Sequence, residues 1–139
     1  MKTTLITGGL GFIGSNICDS LLQKKYTNKC ILLDNFGGYM NPIKDSFIDF
    51  RKQRFPSLKN IIIERCDTSN YKALSSIINR YKPNYIYHTA ALPLAKVSNL
   101  NNEEAKISSV DSTVNIIDAI NLLKNSNQNY RFDRFVYFS

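Results

Sequence analysis

"TLITGGLGFIGSNI", residues 3–16, sets four glycines within seven positions between two apolar patterns of different period. Residues 2–7, "KTTLIT", are short and rich in β-branched side chains, which predicts a buried strand ended by Gly8. From Gly11 the period changes: Ile13, Ile17 and Leu21 recur every fourth position, the spacing of a helix with one apolar face. A helix start leaves backbone N–H groups unpaired and carries a partial positive charge. A diphosphate placed there finds donors and field together, provided that side chains do not block the main chain. Gly9, Gly11 and Gly14 spell G-x-G-x-x-G, and Gly8, Gly11 and Gly14 spell G-x-x-G-x-x-G. In either register one glycine makes the turn, Gly11 admits the pyrophosphate, and Gly14 brings the helix close to the sheet.

The pattern continues outward from that stretch. "KCILLDN" (29–35) and "NIIIERCD" (60–67) read as a second and third strand. Tyr71, Leu74, Ile78 and Tyr81 form a helical stripe stopped by Pro83. "NYIYHTAAL" (84–92) is a fourth strand, followed by a long helix with Glu103 and Glu104 in its first turn. The apolar stripe of that helix is expected at Ile107, Val110, Val114 and Ile117, and "RFVYFS" (134–139) is a fifth strand. Residues 36–59 are turn-rich at "GGYMNP", with a short helix expected in "DSFIDFRKQRF". Strands alternating with helices predict an α/β fold: a doubly wound parallel sheet of about five strands, order 3-2-1-4-5. Its 139 residues make one domain.

Asp34 lies 20 residues beyond Gly14, at the end of the second strand. A carboxylate there can accept hydrogen bonds from both ribose hydroxyls of a dinucleotide and repels the extra phosphate of NADP, so NAD is the expected cofactor.

Other features narrow the reading. The formal charge of +7 is scattered, and the nearest cluster, "RKQRF" (51–55), reads as a solvated helix face. With no basic stripe and no stacking aromatics on a sheet face, nucleic acid is not an expected partner. Cys18, Cys30 and Cys66 form an odd set without CxxC spacing, which argues for buried thiols and against a zinc site or disulfide framework. The single histidine, His88, reads as a satisfied core residue. The N-terminal apolar stretch is broken by glycines and soon meets Asp19, so it is not read as a signal peptide, and no stretch approaches the ~18 apolar residues of a membrane span.

"TGGLGFIGSNI" together with "LLDNF" resembles the extended short-chain dehydrogenase/reductase family, the NAD-dependent epimerase/dehydratase group acting on nucleotide sugars. The resemblance implies a Rossmann-type fold and the register Gly8, Gly11, Gly14, with Phe12 and Ile13 half core and half cofactor wall. It carries Asp67 of "RCDTSN" to the adenine amino group, with the Thr68 backbone beside it. "YIYHTAAL" matches the end of the family's fourth strand, where Thr89, Ala90 and Ala91 pass close to the cofactor. Asn35 beside Asp34 joins the implied cofactor set. "SVDSTVNIIDAI" is similar to the family's N-V-x-G-T-x-N-L-L-E-A helix, with Ser109 for the usual Asn and Ser112 for the usual Gly. Ser109 keeps a hydrogen-bonding group there, and Lys96 stands where the family has residues near the nicotinamide or sugar.

The family's chemistry takes hydride from a sugar carbon and uses a tyrosine base with a lysine four positions on. No Tyr-x-x-x-Lys occurs in the chain, and Tyr130 with Arg134 is the nearest approach. Ser139 resembles the first serine of the catalytic stretch. No catalytic residue is therefore expected here. Residues 1–139 read as the NAD-binding part alone, truncated before the catalytic Tyr/Lys segment and the substrate-binding part. The parent protein is expected to be a cytoplasmic homodimer; the alternative is a non-catalytic dinucleotide-binding sensor module.

Overall fold

The computed structural model describes residues 1–37, 52–53, 55, 58–92 and 101–138. The turn-rich piece after Gly37 and the expected short helix over 45–55 fall largely outside those residues, as do Lys96 and Ser139.

Five parallel strands form one sheet: β1 (Thr3–Thr7), β2 (Lys29–Asp34), β3 (Ile61–Arg65), β4 (Tyr85–His88) and β5 (Arg134–Tyr137), in the order β3-β2-β1-β4-β5. The order is the one expected from the sequence. The chain winds from β1 to β2 and β3, then returns past β1 to β4 and β5. The winding therefore reverses between β1 and β4, and in such sheets the crevice at the carboxyl ends of those strands is where ligands bind. Register aligns Leu5 with Ile31 and Ile86, and Ile86 with Phe135, so these side chains share one face. Ile6, Leu32 and Tyr87 share the other.

On the first face, α2 (Tyr71–Tyr81) and α4 (Ser112–Ser126) pack against the sheet and each other. Leu74, Ile77, Ile78, Ile116, Ala119, Ile120 and Leu123 close over Leu5, Ile31, Leu33 and Ile86 in one core. Asn70 caps α2 by accepting from the Ala73 amide at 3.1 Å. Lys82, at φ 46°, ends that helix in the left-handed region immediately before Pro83, which cannot continue it.

The second face carries α1 (Phe12–Gln23), whose buried residues are the small Gly14, Ser15 and Cys18. Of these, Cys18 joins Ile6, Leu10, Cys30, Leu32 and Phe55 in a smaller core. The expected stripe of Ile13, Ile17 and Leu21 is rotated off the sheet: Ile13 is exposed, while Ile17 and Leu21 are half-buried beside the core. Small residues bring the α1 backbone nearer the strands than leucine or isoleucine would.

The long helix begins at α3 (Asn102–Ala105), where Asn101 accepts from the Glu104 amide at 2.7 Å, and passes through a π-helical segment, Lys106–Asp111, into α4. Its expected stripe is also displaced. Ile107, Val110, Val114 and Ile117 are exposed, and the buried line is Ser112, Ile116, Ala119, Ile120 and Leu123. Among the described residues no helix is long and apolar enough to cross a membrane.

Candidate cofactor site

Gly8 leaves β1 at φ +64°, a backbone state that L side chains rarely adopt, and a Cβ there would lie 3.0 Å from the Ala90 backbone. The loop and the end of β4 thus touch main chain to main chain. A Cβ on Gly14 would meet the Gly8 carbonyl at 2.4 Å, so only glycine lets the first turn of α1 close on the loop. One on Gly9 would meet Leu32 Cβ at 2.6 Å. Packing therefore requires the glycines of both candidate registers. Gly11 differs: an added Cβ would meet only the Gly8 carbonyl, at 3.1 Å, and otherwise open space. Among the described residues, nothing else fills the approach to the main chain at that position.

The first backbone bond of α1 runs from the Ser15 amide to the Gly11 carbonyl at 3.0 Å. The amides of Phe12, Ile13 and Gly14 precede it and have no helical acceptor. Gly11 provides no side-chain cap, and the first turn holds no acidic residue. Among the described residues no side chain caps the first turn of α1, and its free amides with the positive end of the dipole suit an anion. Phe12 and Ile13, expected as half core, are 76% and 53% exposed and flank this turn.

Asp34 is joined directly to the glycine bend. Its Oδ2 accepts from the Leu10 amide at 3.1 Å, and its Oδ1 from the Phe36 amide at 3.0 Å. Two oxygens have about four acceptor positions, so two remain for hydroxyls of a ligand. The side chain is otherwise enclosed, at 8% exposure. The Gly9 amide reaches the Leu33 carbonyl at 3.0 Å, so the bend is also pinned to β2 through main chain. The turn after Asp34 is strained: Phe36 sits at φ 59° and is held there by the Asp34 carboxylate. Asn35 accepts from the Gly37 amide at 2.8 Å and donates toward Asp67 Oδ2 at 3.4 Å.

Asp67 therefore lies beside the β2 end. Burial pushes its carboxyl up, but the Ser69 hydroxyl and amide, with Asn35, outweigh that and hold it below its ordinary value. It is ionised at neutral pH, an acceptor fixed at the tip of β3. Thr68 is buried, and its carbonyl accepts from Asn115 Nδ2 at 3.1 Å. The same amide reaches the Ser69 carbonyl at 3.0 Å, tying α4 to the Asp67 turn. Asn115 is a positioning residue that periodicity does not reveal. The signal for it is an amide side chain inside an apolar helix run.

On the other side of the crevice, Thr89 and Ala90 lean on Thr7. The Thr89 hydroxyl donates to the Thr7 carbonyl at 2.6 Å, and the Ala90 amide to Thr7 Oγ1 at 3.2 Å. Ala91 is exposed at the rim. Ser109 lies half-buried in the π-helical segment, one turn before Ser112. The structure gathers Gly8, Gly11, Gly14, Asp34, Asn35 and Asp67 about the β1 and β2 ends, with Thr89 and Ala90 across β1 from them. Ser109 is joined to this group through the helix that bears it.

His88 is 1% exposed and bonded at both ring nitrogens, and burial lowers its pKa to about 4. It is a neutral core residue. Tyr130 donates to the Pro83 carbonyl at 2.6 Å, and burial raises its pKa, so it braces a loop. All three cysteines are free and buried. Cys30 beside Cys18 and their shared burial raise the Cys18 pKa, and burial, then Asp67 and Glu64, push Cys66 up to about 11. Neither thiol is ionised at neutral pH.

Comparison with known proteins adds the following. The family model described as GDP-mannose 4,6 dehydratase matches residues 5–136. The chain is 28% identical over 139 residues to dTDP-D-glucose 4,6-dehydratase of Dictyostelium discoideum, covering 100% of this chain and 29% of that protein. Among solved structures, UDP-glucose-4-epimerase from Stenotrophomonas maltophila, with bound NAD and formylated UDP-arabinopyranose, aligns with TM-score 0.73 at 17% identity, over 99% of this chain and 36% of that one. The Bordetella bronchiseptica enzyme WbmG, in complex with NAD and UDP, aligns with TM-score 0.70 at 19% identity, over 98% and 37% of the respective chains. The chain spans about a third of the length of these proteins.

Proposed function

The chain belongs to the GDP-mannose 4,6-dehydratase family, and from that premise we propose that it is the NAD-binding part of a nucleotide-sugar epimerase or dehydratase. The observation that carries the reading is the bond from the Leu10 amide to Asp34 Oδ2, which sets a carboxylate against the glycine bend at an uncapped helix start. A pyrophosphate at Gly11 takes the free amides of Phe12, Ile13 and Gly14. Asp34, with Asn35, takes the adenosine ribose hydroxyls. Asp67 and the Thr68 backbone take the adenine amino group. Thr89, Ala90 and Ala91 keep the opposite wall flat, and Ser109 offers a hydroxyl at its far end. Among the described residues no side chain lies beyond Gly11, and this open approach to the main chain supports the fit.

Bound NAD supplies an acceptor for hydride from a sugar carbon. This chain's own residues hold and orient the dinucleotide. The sequence has no tyrosine–lysine pair for the accompanying proton transfer, so residues 1–139 alone are inactive in this reading. The remaining proposals are a nucleotide-sugar substrate and a homodimer for the whole protein, and a cytoplasmic location. The exposed line Ile107, Val110, Val114 and Ile117 supports a packed partner on the long helix. The alternative is a non-catalytic dinucleotide sensor, which the whole protein's turnover of a nucleotide sugar would exclude.

Titration with NAD and NADP tests the cofactor reading. NAD is expected to bind at least about tenfold tighter, because the 2′-phosphate would face the Asp34 carboxylate. Tighter binding of NADP overturns the assignment.

A further inference from the structure

Beneath the crevice lies a buried polar chain that neither wall of the cofactor site explains. Thr7 and Ser112 are 0% exposed and His88 is 1% exposed. Thr7 Oγ1 lies 2.6 Å from His88 Nδ1, and Ser112 Oγ lies 3.3 Å from His88 Nε2. The Ser112 hydroxyl also bonds the Ser108 carbonyl, and the Thr7 hydroxyl also receives the Ala90 amide.

The proton inventory gives this chain a direction. A carbonyl only accepts, so the single Ser112 hydroxyl proton is spent on Ser108. Toward the ring, Ser112 Oγ can then only accept, and His88 Nε2 must carry the proton. An amide only donates, so Thr7 Oγ1 accepts from Ala90 and has its own proton free for His88 Nδ1. Between the Ala90 amide and the Ser108 carbonyl, Thr7, His88 and Ser112 each donate once and accept once. The neutral ring that this pattern demands agrees with the effect of burial on the imidazole.

The far end of the chain also accounts for the π-helical segment. Ser112 Oγ takes the Ser108 carbonyl, which the Ser112 amide would use in an α-helix. That amide bonds the Ile107 carbonyl instead, one residue further back. The Thr113 hydroxyl likewise takes the Ser109 carbonyl, at 2.6 Å. Two consecutive hydroxyls thus bond carbonyls of the wide turn. Closing it to an α-helix would rotate the preceding helix by one residue, about 100°, and carry Ser109 away from its place.

We propose that Thr7, His88 and Ser112 form a one-way hydrogen-bond relay that sets the Ala90 wall of the crevice against the π-helical turn bearing Ser109, which makes His88 and Ser112 positioning residues for dinucleotide binding. The proposal rests on the cofactor reading above. It assigns a use to the one buried histidine and to Ser112, where the resemblance leads one to expect glycine.

Two measurements test it. His88 is the sole histidine, so a long-range proton–nitrogen correlation spectrum of the tag-free chain reads this ring alone. Without nucleotide, at neutral pH, the expected signal is the neutral ring protonated at Nε2. A ring protonated at Nδ1, or at both nitrogens, overturns the relay. In NAD titrations Ser112→Ala and Thr7→Val each weaken binding about 2- to 10-fold, and Thr7→Ser restores it. If Ser112→Ala does not fold, the Thr7→Val and Thr7→Ser pair decides. A folded Thr7→Val protein with unchanged NAD affinity overturns the positioning role alone. A wild-type chain that shows the Nε2–H signal but binds no NAD refutes the cofactor reading and reduces the relay to a structural tie.

Discussion

The two faces of the sheet are built to different rules. On one, α2 and α4 bring large side chains, among them Leu74, Ile78, Ile116 and Leu123, onto Leu5, Ile31 and Ile86. On the other, α1 offers Gly14, Ser15 and Cys18. The first face maximises apolar area removed from water and so carries stability. The second gives up area for proximity. Its helix start is pressed against the Gly8 carbonyl and the ends of β1 and β2, where its unpaired amides face the crevice. The cost is visible at the surface. An open apolar groove of about 390 Å³ runs along α1 past Phe12, Ile13, Ile17 and Leu21 to Phe138, beyond the β5 edge.

The sharpest way to break this contrast is to truncate one isoleucine on each side. Ile78→Ala removes a side chain with 0% exposure from the larger core and is expected to cost about 2–5 kcal/mol. Ile13→Ala, on the exposed flank of α1, is expected to change stability by less than about 0.5 kcal/mol. Urea unfolding of both variants checks the pair. Equal losses would mean that the α1 face is as tightly built as its opposite.

The next largest effect lies in how the first face treats charge. His88 is enclosed there between Thr7 and Ser112, with the Phe135 and Tyr137 rings alongside. Burial lowers its pKa from an ordinary 6.5 to about 4, so only the unfolded chain takes up a proton in that interval. The contribution is fully present above pH 6.5 and is lost as pH falls to 4, by about 3 kcal/mol in all. The difference between wild type and His88→Gln, followed by urea unfolding across that range, isolates it from the carboxylates. A wild-type curve parallel to that of the variant would show that the imidazole is not neutral in the fold.

The same contrast explains which parts were legible beforehand. Strand order, the glycine bend and Asp34 follow from local signals: β-branched runs, helical spacing and a carboxylate at a fixed distance along the chain. The buried faces of α1 and the long helix do not. "ISSVDSTVNIIDAI" (107–120) carries two apolar lines at helical spacing, and hydropathy prefers the one through Ile107, Val110, Val114 and Ile117. The line that is buried contains Ser112 and is flanked by Asn115, and both have partners distant in sequence, His88 and the Thr68 and Ser69 carbonyls. A buried polar group with a partner costs little, whereas periodicity counts it as surface. The π-helical turn adds a phase change that no fixed period can follow. Phe36 was missed for a related reason: its left-handed backbone is held by Asp34 and is not favoured by phenylalanine itself.

The smallest effect on stability, and the most visible in solution, is expected at the open end of the second face. β5 is the terminal strand of the sheet, and beyond it Phe138 is 40% exposed at the groove that Phe12 and Ile13 flank. An edge strand that no described strand pairs, beside an apolar groove, invites pairing with another chain, and lysine on such an edge opposes it. The 139-residue chain is therefore expected to self-associate as its concentration rises. Phe138→Lys should shift it toward monomer while altering stability by no more than about 1 kcal/mol. Light scattering coupled to size-exclusion chromatography measures the mass directly. A compact monomer at high concentration in the wild type would mean that the α1 face is closed after all, and the contrast between the two faces would then be one of side-chain size alone.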